Sequence, residues 1–261
     1  VNESSTKPGR LRVLIAEDSG VNRHHAIGLL SPRGHEVVAV DTGKQAVAAA
    51  RDGAFDLILM DVEMPDMDGL QAAVEIRAAE QPGGRRVPIV AVTSRDMASD
   101  AAACRAAGMD ALLVKPLDAA ALFPLVDQLT GAVAAAPSSR AAAVPVEATF
   151  DAGELLPRLG GDESLLVEMV EIFAAESPQM LRTLRQALDA NDPGAIQRAA
   201  HNLKGAVSVF GARPATRSAQ AIEGMGREGS LAGARYAVAV LEREVERLNH
   251  ALAAFIKDRP Q

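Results

Sequence analysis

One cysteine, Cys104, stands in 261 residues. No disulfide can close within the chain, which fits a reducing compartment and sets cytoplasmic localisation as the expectation. Long apolar runs are missing as well. None approaches the roughly 18 residues of a membrane span. The opening VNESSTKPGRLR is polar, so it does not read as a signal peptide, and it has no initiator Met. A fragment of a longer protein is expected, with residues 1–10 as linker. A basic excess is absent too. Residues 1–131 carry 13 basic and 18 acidic residues and the remainder 14 and 16, for a net charge of −7. Neither half has the charge that a nucleic-acid binder needs. What is present is ordinary globular material: 48% apolar and 23% charged residues, in a length that suggests about two domains.

The first half alternates strand and helix signals. Apolar runs RVLIAE (12–17), EVVAV (36–40), DLILMD (56–61), PIVAVT (88–93) and ALLVKP (111–116) alternate with helical stretches at 21–34, 43–53, 69–80, 97–108 and 118–131. Asp118 is placed to cap the last of these. Five apolar strands separated by helices predict a parallel sheet covered on both faces. Residues 132–149 are Ala, Pro and Ser without a helical stripe and read as a linker. From Phe150 to 257 strand signals stop and helical periodicity takes over. Apolar residues at 165, 166, 169, 170 and 173 and again at 180, 181, 184 and 188 mark one such stretch, in which Pro178 is expected to bend or divide the helix. Three further helices complete an expected all-α bundle.

The apolar run ILMD ends in a carboxylate, Asp61, before the turn at Pro65 and Gly69. In an open parallel sheet, ligands sit beyond the carboxyl ends of the strands where strand order reverses. With the flavodoxin-like order 2-1-3-4-5, Glu17 and Asp18 at the end of strand one neighbour Asp61 at the end of strand three. Three converging carboxylates repel one another unless a hard divalent cation such as Mg²⁺ joins them. Thr93 and Lys115 end strands four and five. Carboxylate, metal, hydroxyl and ammonium together suit phosphoryl transfer onto Asp61. The plainer reading, in which such an Asp only caps the following helix, serves for one residue but not for four strand ends in order. The run MPDMDGLQAAVE (64–75) approaches a calcium loop, but Met64 holds the first ligand position and a strand, not a helix, precedes it.

Residues 11–131, through VLIAEDSGVN, FDLILMDVEMPDMDG, PIVAVTS and AAGMDALLVKP, resemble the receiver domain of two-component response regulators and hybrid kinases. The resemblance implies that Asp61 is the phospho-acceptor. It implies Mg²⁺ on Glu17, Asp18, Asp61 and the backbone carbonyl of Glu63, with Thr93 and Lys115 on the phosphoryl group. The family has Tyr or Phe three residues before the lysine, a side chain whose rotation reports phosphorylation; here that position is Leu112.

In the second half, AAHNLKGAVSVFGA (199–212) sets a histidine, a lysine and a glycine inside a helix. At about 100° per residue, Lys204, Gly205 and Ser208 fall on the side of His201, while Ile196, Leu203, Val207 and Phe210 gather opposite. The buried stripe is therefore expected to face away from His201, leaving it as exposed as the strand-end Asp61. Gly205 costs a helix about 1 kcal/mol relative to Ala and leaves the imidazole open to a partner. Lys204 supplies a cation for phosphoryl oxygens. His24, His25, His35 and His250 read as surface or core histidines without metal-ligand spacing. The stretch resembles the histidine phosphotransfer (HPt) signature on a four-helix bundle, over roughly 148–257, which implies His201 as a phosphorylated residue.

The order receiver, linker, HPt resembles the C-terminal end of a hybrid (unorthodox) sensor histidine kinase, whose full-length parent can be anchored in the inner membrane. No kinase ATP-binding motif occurs in the chain, so it is not expected to make a phosphoryl group from ATP. The implied flow is from a kinase histidine to Asp61, to His201, and to a separate response regulator. Two alternatives stay open: a module that loses the Asp61 phosphoryl group to water, and a docking scaffold with an inert receiver.

Overall fold

The computed structural model describes residues 9–80, 86–93, 101–131, 149–150 and 152–257. Residues 1–8, most of the expected linker at 132–149, and the start of the helix expected at 97–108 lie outside that set. The chain divides into two compact units, one bearing the sheet and one helical.

The first unit is a five-stranded parallel sheet in the order β2-β1-β3-β4-β5, as the sequence predicts. Its strands are β1 Arg12–Ala16, β2 Glu36–Val40, β3 Leu57–Asp61, β4 Ile89–Thr93 and β5 Ala111–Val114. Helices α1 Gly20–Leu30, α2 Gly43–Asp52, α3 Gly69–Ala79, α4 Ala101–Ala106 and α5 Ala119–Thr130 connect or close them. Alternate residues of a strand point to opposite faces. Leu14, Ala16, Ile58, Met60, Ile89 and Ala91 therefore build one core with Ala46, Ala72, Ala73, Ile76 and Cys104. Val13, Ile15, Leu57, Leu59, Val90 and Val92 build the other with Leu29, Leu30, Leu122 and Val126. Two covered faces are the reason these strands read as unbroken apolar runs.

The capping expectation at Asp118 holds: its side chain accepts from the Ala120 N–H. Asp68 does the same for α3 through the Gln71 N–H. Gly69 starts α3 so close to β3 that a Cβ there would lie 2.1 Å from the Asp61 carbonyl oxygen. Its own N–H donates to the Val62 carbonyl at 2.9 Å. This contact pins the chain directly after Asp61.

The second unit holds a short α6, Ala152–Arg158, and four long helices: α7 Glu163–Asp189, α8 Pro193–Val209, α9 Arg213–Glu228 and α10 Ala234–Lys257. α7 packs on α8 and α10, and α9 packs on α8 and α10, which closes a four-helix bundle. Phe173 and Phe210 meet at 5.1 Å between ring centroids in its core. Pro178 does not divide α7, which runs unbroken for 27 residues. Buried residues on both sides, Leu166, Met169 and Phe173 before it and Leu184 and Leu188 after it, outweigh one lost backbone hydrogen bond. Among the described residues no helix is long and apolar enough to cross a membrane.

Candidate functional site

The register of the sheet decides what converges at its carboxyl edge. Ala16 lies beside Met60, so the residues that follow, Glu17 and Asp61, emerge together. Asp61 lies beside Val92, and Thr93 beside Val114, which brings Thr93 and Lys115 to the same edge. Glu17, Asp18 and Asp61 each offer a carboxylate oxygen, all within 4.8 Å of one another. The Lys115 ammonium bridges two of them, with Nζ 2.7 Å from Glu17 Oε2 and 2.7 Å from Asp61 Oδ2. Burial works against the Lys115 charge, but the Asp61 and Glu17 carboxylates outweigh it and push its pKa up. The Glu63 N–H donates to Asp61 Oδ1 at 3.2 Å. Arg23 of α1, which the sequence reading missed, donates to the Glu17 carbonyl at 2.8 Å and so steadies the acidic pair.

This donor set fits a hard divalent cation. All ligand atoms are oxygens, and three carboxylates against one ammonium leave two negative charges (−3 + 1 = −2). Leu112 sits half-buried on β5 beside Ala91, packed against the core of the α2–α3 face. Within the sheet unit, the turn at Gly69 and the Lys115 side chain both lie close to Asp61.

The histidine of the second unit has a partner that the sequence reading did not name. A wheel drawn for α8 alone contains nothing of α9, and α9 supplies that partner. Glu223, fully buried, places Oε1 3.0 Å from His201 Nδ1 and Oε2 2.5 Å from Lys204 Nζ. Arg227, one turn further on α9, lies 3.7 Å from the same Oε1. Burial alone would raise the Glu223 pKa, but hydrogen bonds from His201 and Lys204 and their charges hold it below the usual carboxylate value. An ionised Glu223 can only accept, so Nδ1 donates to it, and in the neutral ring Nε2 is then the nitrogen with the lone pair. Gly226 makes the approach of α9 possible: a Cβ there would meet the Gln197 nitrogen at 2.6 Å and the Pro193 carbonyl oxygen at 2.7 Å on α8. The signal for Glu223 was in the sequence. It occurs on the stripe Ala215, Ala219, Ile222, Gly226, where a glutamate stands among small and apolar residues. Lys204 and Gly205 lie on α8 with His201, and the Gly205 carbonyl accepts from the Ser208 hydroxyl at 2.8 Å.

Residues 13–127 match the response regulator receiver domain family, and residues 168–251 match the Hpt domain family. The sensor protein GacS of Pseudomonas syringae pv. syringae is 36% identical over 214 residues, covering 80% of this chain and 24% of GacS. The virulence sensor protein BvgS of Bordetella bronchiseptica is 31% identical over 261 residues, covering 96% of this chain and 21% of BvgS. The signal transduction histidine-protein kinase BarA of Escherichia coli is 28% identical over 225 residues, covering 84% of this chain. The chain thus spans about a quarter of the length of these relatives. Among solved structures, the receiver domain of sensor histidine kinase PA1611 from Pseudomonas aeruginosa PAO1, crystallised with magnesium in its active site cleft, is 39% identical. It covers 46% of this chain and 98% of its own, with a TM-score of 0.43.

Proposed function

Because the chain carries a response regulator receiver domain followed by an Hpt domain, the order seen in its hybrid sensor kinase relatives, we propose that it is the phosphorelay end of such a kinase. Asp61 takes a phosphoryl group from a kinase histidine. His201 takes it from Asp61 and passes it to the receiver of a separate response regulator. The domain limits of this reading are 11–131 and 150–257, joined by a linker. The upstream kinase core belongs to the same full-length protein, and the module works in the cytoplasm.

The observation that carries the reading is the Lys115 ammonium held between Asp61 and Glu17 inside an acidic cluster at the strand ends. An Asp61 oxygen attacks phosphorus in line, a P–O bond forms, and the P–N bond breaks with its electron pair returning to the donor imidazole. Lys115 and the Thr93 hydroxyl face the charge that develops on the phosphoryl oxygens. Mg²⁺ held by Glu17, Asp18, Asp61 and the Glu63 carbonyl would draw further charge from those oxygens. In the second transfer the lone pair of His201 Nε2 attacks phosphorus, and Asp61 leaves as a carboxylate. The positive charge that forms on the ring is matched by Glu223 at Nδ1. Lys204 stands one turn away for the phosphoryl oxygens.

The test follows labelled phosphate. A chain loaded at Asp61 should pass label to His201, seen as conversion of a base-labile to an acid-labile adduct. His201→Gln should retain the base-labile form alone. A rate independent of tenfold dilution shows transfer within one chain, and a falling rate shows transfer between chains. Release as free phosphate with no histidine adduct would favour a phosphate sink, and no labelling at all an inert scaffold.

A further inference from the structure

A divalent ion at the receiver rim needs the carboxylates of Glu17, Asp18 and Asp61 held in place, and the fold holds them by unequal means. Asp61 is fixed at its own carboxylate, by the Glu63 N–H at Oδ1 and by Lys115 at Oδ2. The Glu17 carboxylate also meets Lys115. The backbone that carries Glu17 and Asp18 is fixed differently. The paired register of β1 with β2 and with β3 ends at Ala16 on both sides. One further bond follows, from the Glu17 N–H to the Val40 carbonyl at 3.0 Å. The Glu17 and Asp18 carbonyls lie beyond it, and Arg23 in the first turn of α1 reaches back to both. Its Nη1 carries two hydrogens and donates to the Glu17 carbonyl at 2.8 Å and to the Asp18 carbonyl at 3.4 Å.

We propose that Arg23 is a positioning residue for the metal: by clamping the Glu17 and Asp18 carbonyls, it holds their carboxylates at a spacing that selects Mg²⁺ over Ca²⁺. The inference rests on the Mg²⁺ reading of the rim. Mg²⁺ demands near-ideal octahedral geometry with oxygens at about 2.0–2.1 Å, whereas Ca²⁺ accepts about 2.3–2.6 Å and an irregular shell. A rigid acidic pair therefore favours the smaller ion, and a loosened pair gives up that preference. Charge alone argues the other way. Lys115 and a divalent ion already balance the three carboxylates, so the Arg23 guanidinium is one positive charge beyond what neutrality needs. Acting only as a charge, it would repel both ions alike. Clamp and charge thus predict opposite effects of its removal.

The test uses the full chain and Mn²⁺, an ion that shares the octahedral oxygen chemistry of Mg²⁺. Free Mn²⁺ is read by electron paramagnetic resonance while Mg²⁺ or Ca²⁺ displaces it from the protein. The part of the binding that Asp61→Asn removes belongs to the rim. Arg23→Met keeps the stem of the side chain and removes its donors. It should weaken Mg²⁺ at the rim about tenfold, the scale for losing a group that orients metal ligands. Ca²⁺ should weaken by less than about threefold, because it tolerates looser geometry. Arg23→Lys keeps the charge but not the planar fork, and should narrow the Mg²⁺-to-Ca²⁺ preference at least about twofold. It carries the test if a metal-free denaturant melt shows that Arg23→Met does not fold. A preference unchanged in the folded variants, including equal weakening of both ions, overturns the inference. So does tighter binding of both ions, the result that loss of a repelling charge would give. Mn²⁺ binding that Asp61→Asn leaves whole overturns the metal reading of the rim itself, and the inference with it.

Discussion

The two proposed acceptor sites are built by different means. At the receiver rim, topology does the positioning: neighbouring parallel strands end together, and whatever residues follow them must meet. At His201, two helices do it: Glu223 comes from 22 positions away on α9 and reaches the imidazole only because Gly226 lets α9 close onto α8. Both sites pair the proposed acceptor with a lysine and a carboxylate. In the receiver the lysine bonds the acceptor itself, Lys115 to Asp61. In the bundle the lysine and the acceptor share a third group, Glu223. An oxygen nucleophile is already an anion and needs a counter-ion, whereas an imidazole is neutral and needs its proton placed.

The largest test of that contrast removes the anion. Asp61→Asn should abolish base-labile labelling of the receiver by a small phosphodonor with Mg²⁺, and EDTA should do the same to the parent chain. A label that survived the substitution would put the acceptor elsewhere. Next in size is the counter-ion. Lys115→Ala should slow labelling about a hundredfold, the scale for losing one preorganised charge at a reacting oxygen. It should also make thermal stability depend more steeply on Mg²⁺, because the metal then carries alone the charge that Lys115 shares. The Lys115 pKa is raised on folding, so its stabilisation is full below about pH 10.5 and is lost only as pH climbs through the higher folded value. A calorimetric melt showing the same Mg²⁺ response in both proteins would separate Lys115 from the metal site.

The proton-placing group comes third. Glu223→Gln keeps the shape and removes the charge, and should slow phosphate arrival on His201 about tenfold. Glu223→Ala leaves the buried Lys204 without its partner and should cost about 3–5 kcal/mol of stability. Because folding lowers the Glu223 pKa, its contribution is present above about pH 4.5 and fades as pH falls through the lower folded value. The stability gap between parent and Glu223→Gln, followed by denaturant titration, should close on that acid side. A gap that widened toward low pH would contradict an ionised Glu223. The smallest effect is expected at Leu112. With no aromatic to rotate, binding of a phosphoryl mimic at Asp61 should alter amide exchange across 101–112 only slightly, and a large change there would show that leucine serves the same purpose.

The sequence by itself determined the parallel sheet, the strand order and the convergence of Glu17, Asp18, Asp61, Thr93 and Lys115. The strands and the charged or hydroxyl residues that end them are a pattern local to each strand, while the order that makes them neighbours came from the likeness to a flavodoxin-like sheet. It also marked His201 by its company, Lys204 and Gly205 within one turn. It did not determine what other segments bring to either residue: Gly69 against the Asp61 carbonyl, Lys115 across from β5, and α9 against α8. Pro178 shows the same division. Its backbone chemistry argues for a broken helix, and only the apolar contacts on both sides keep α7 whole. Glu223 is the sharpest case. Its stripe of small residues is written in the sequence, but which imidazole it faces was decided by the distance between two helix axes, and that distance is a property of packing.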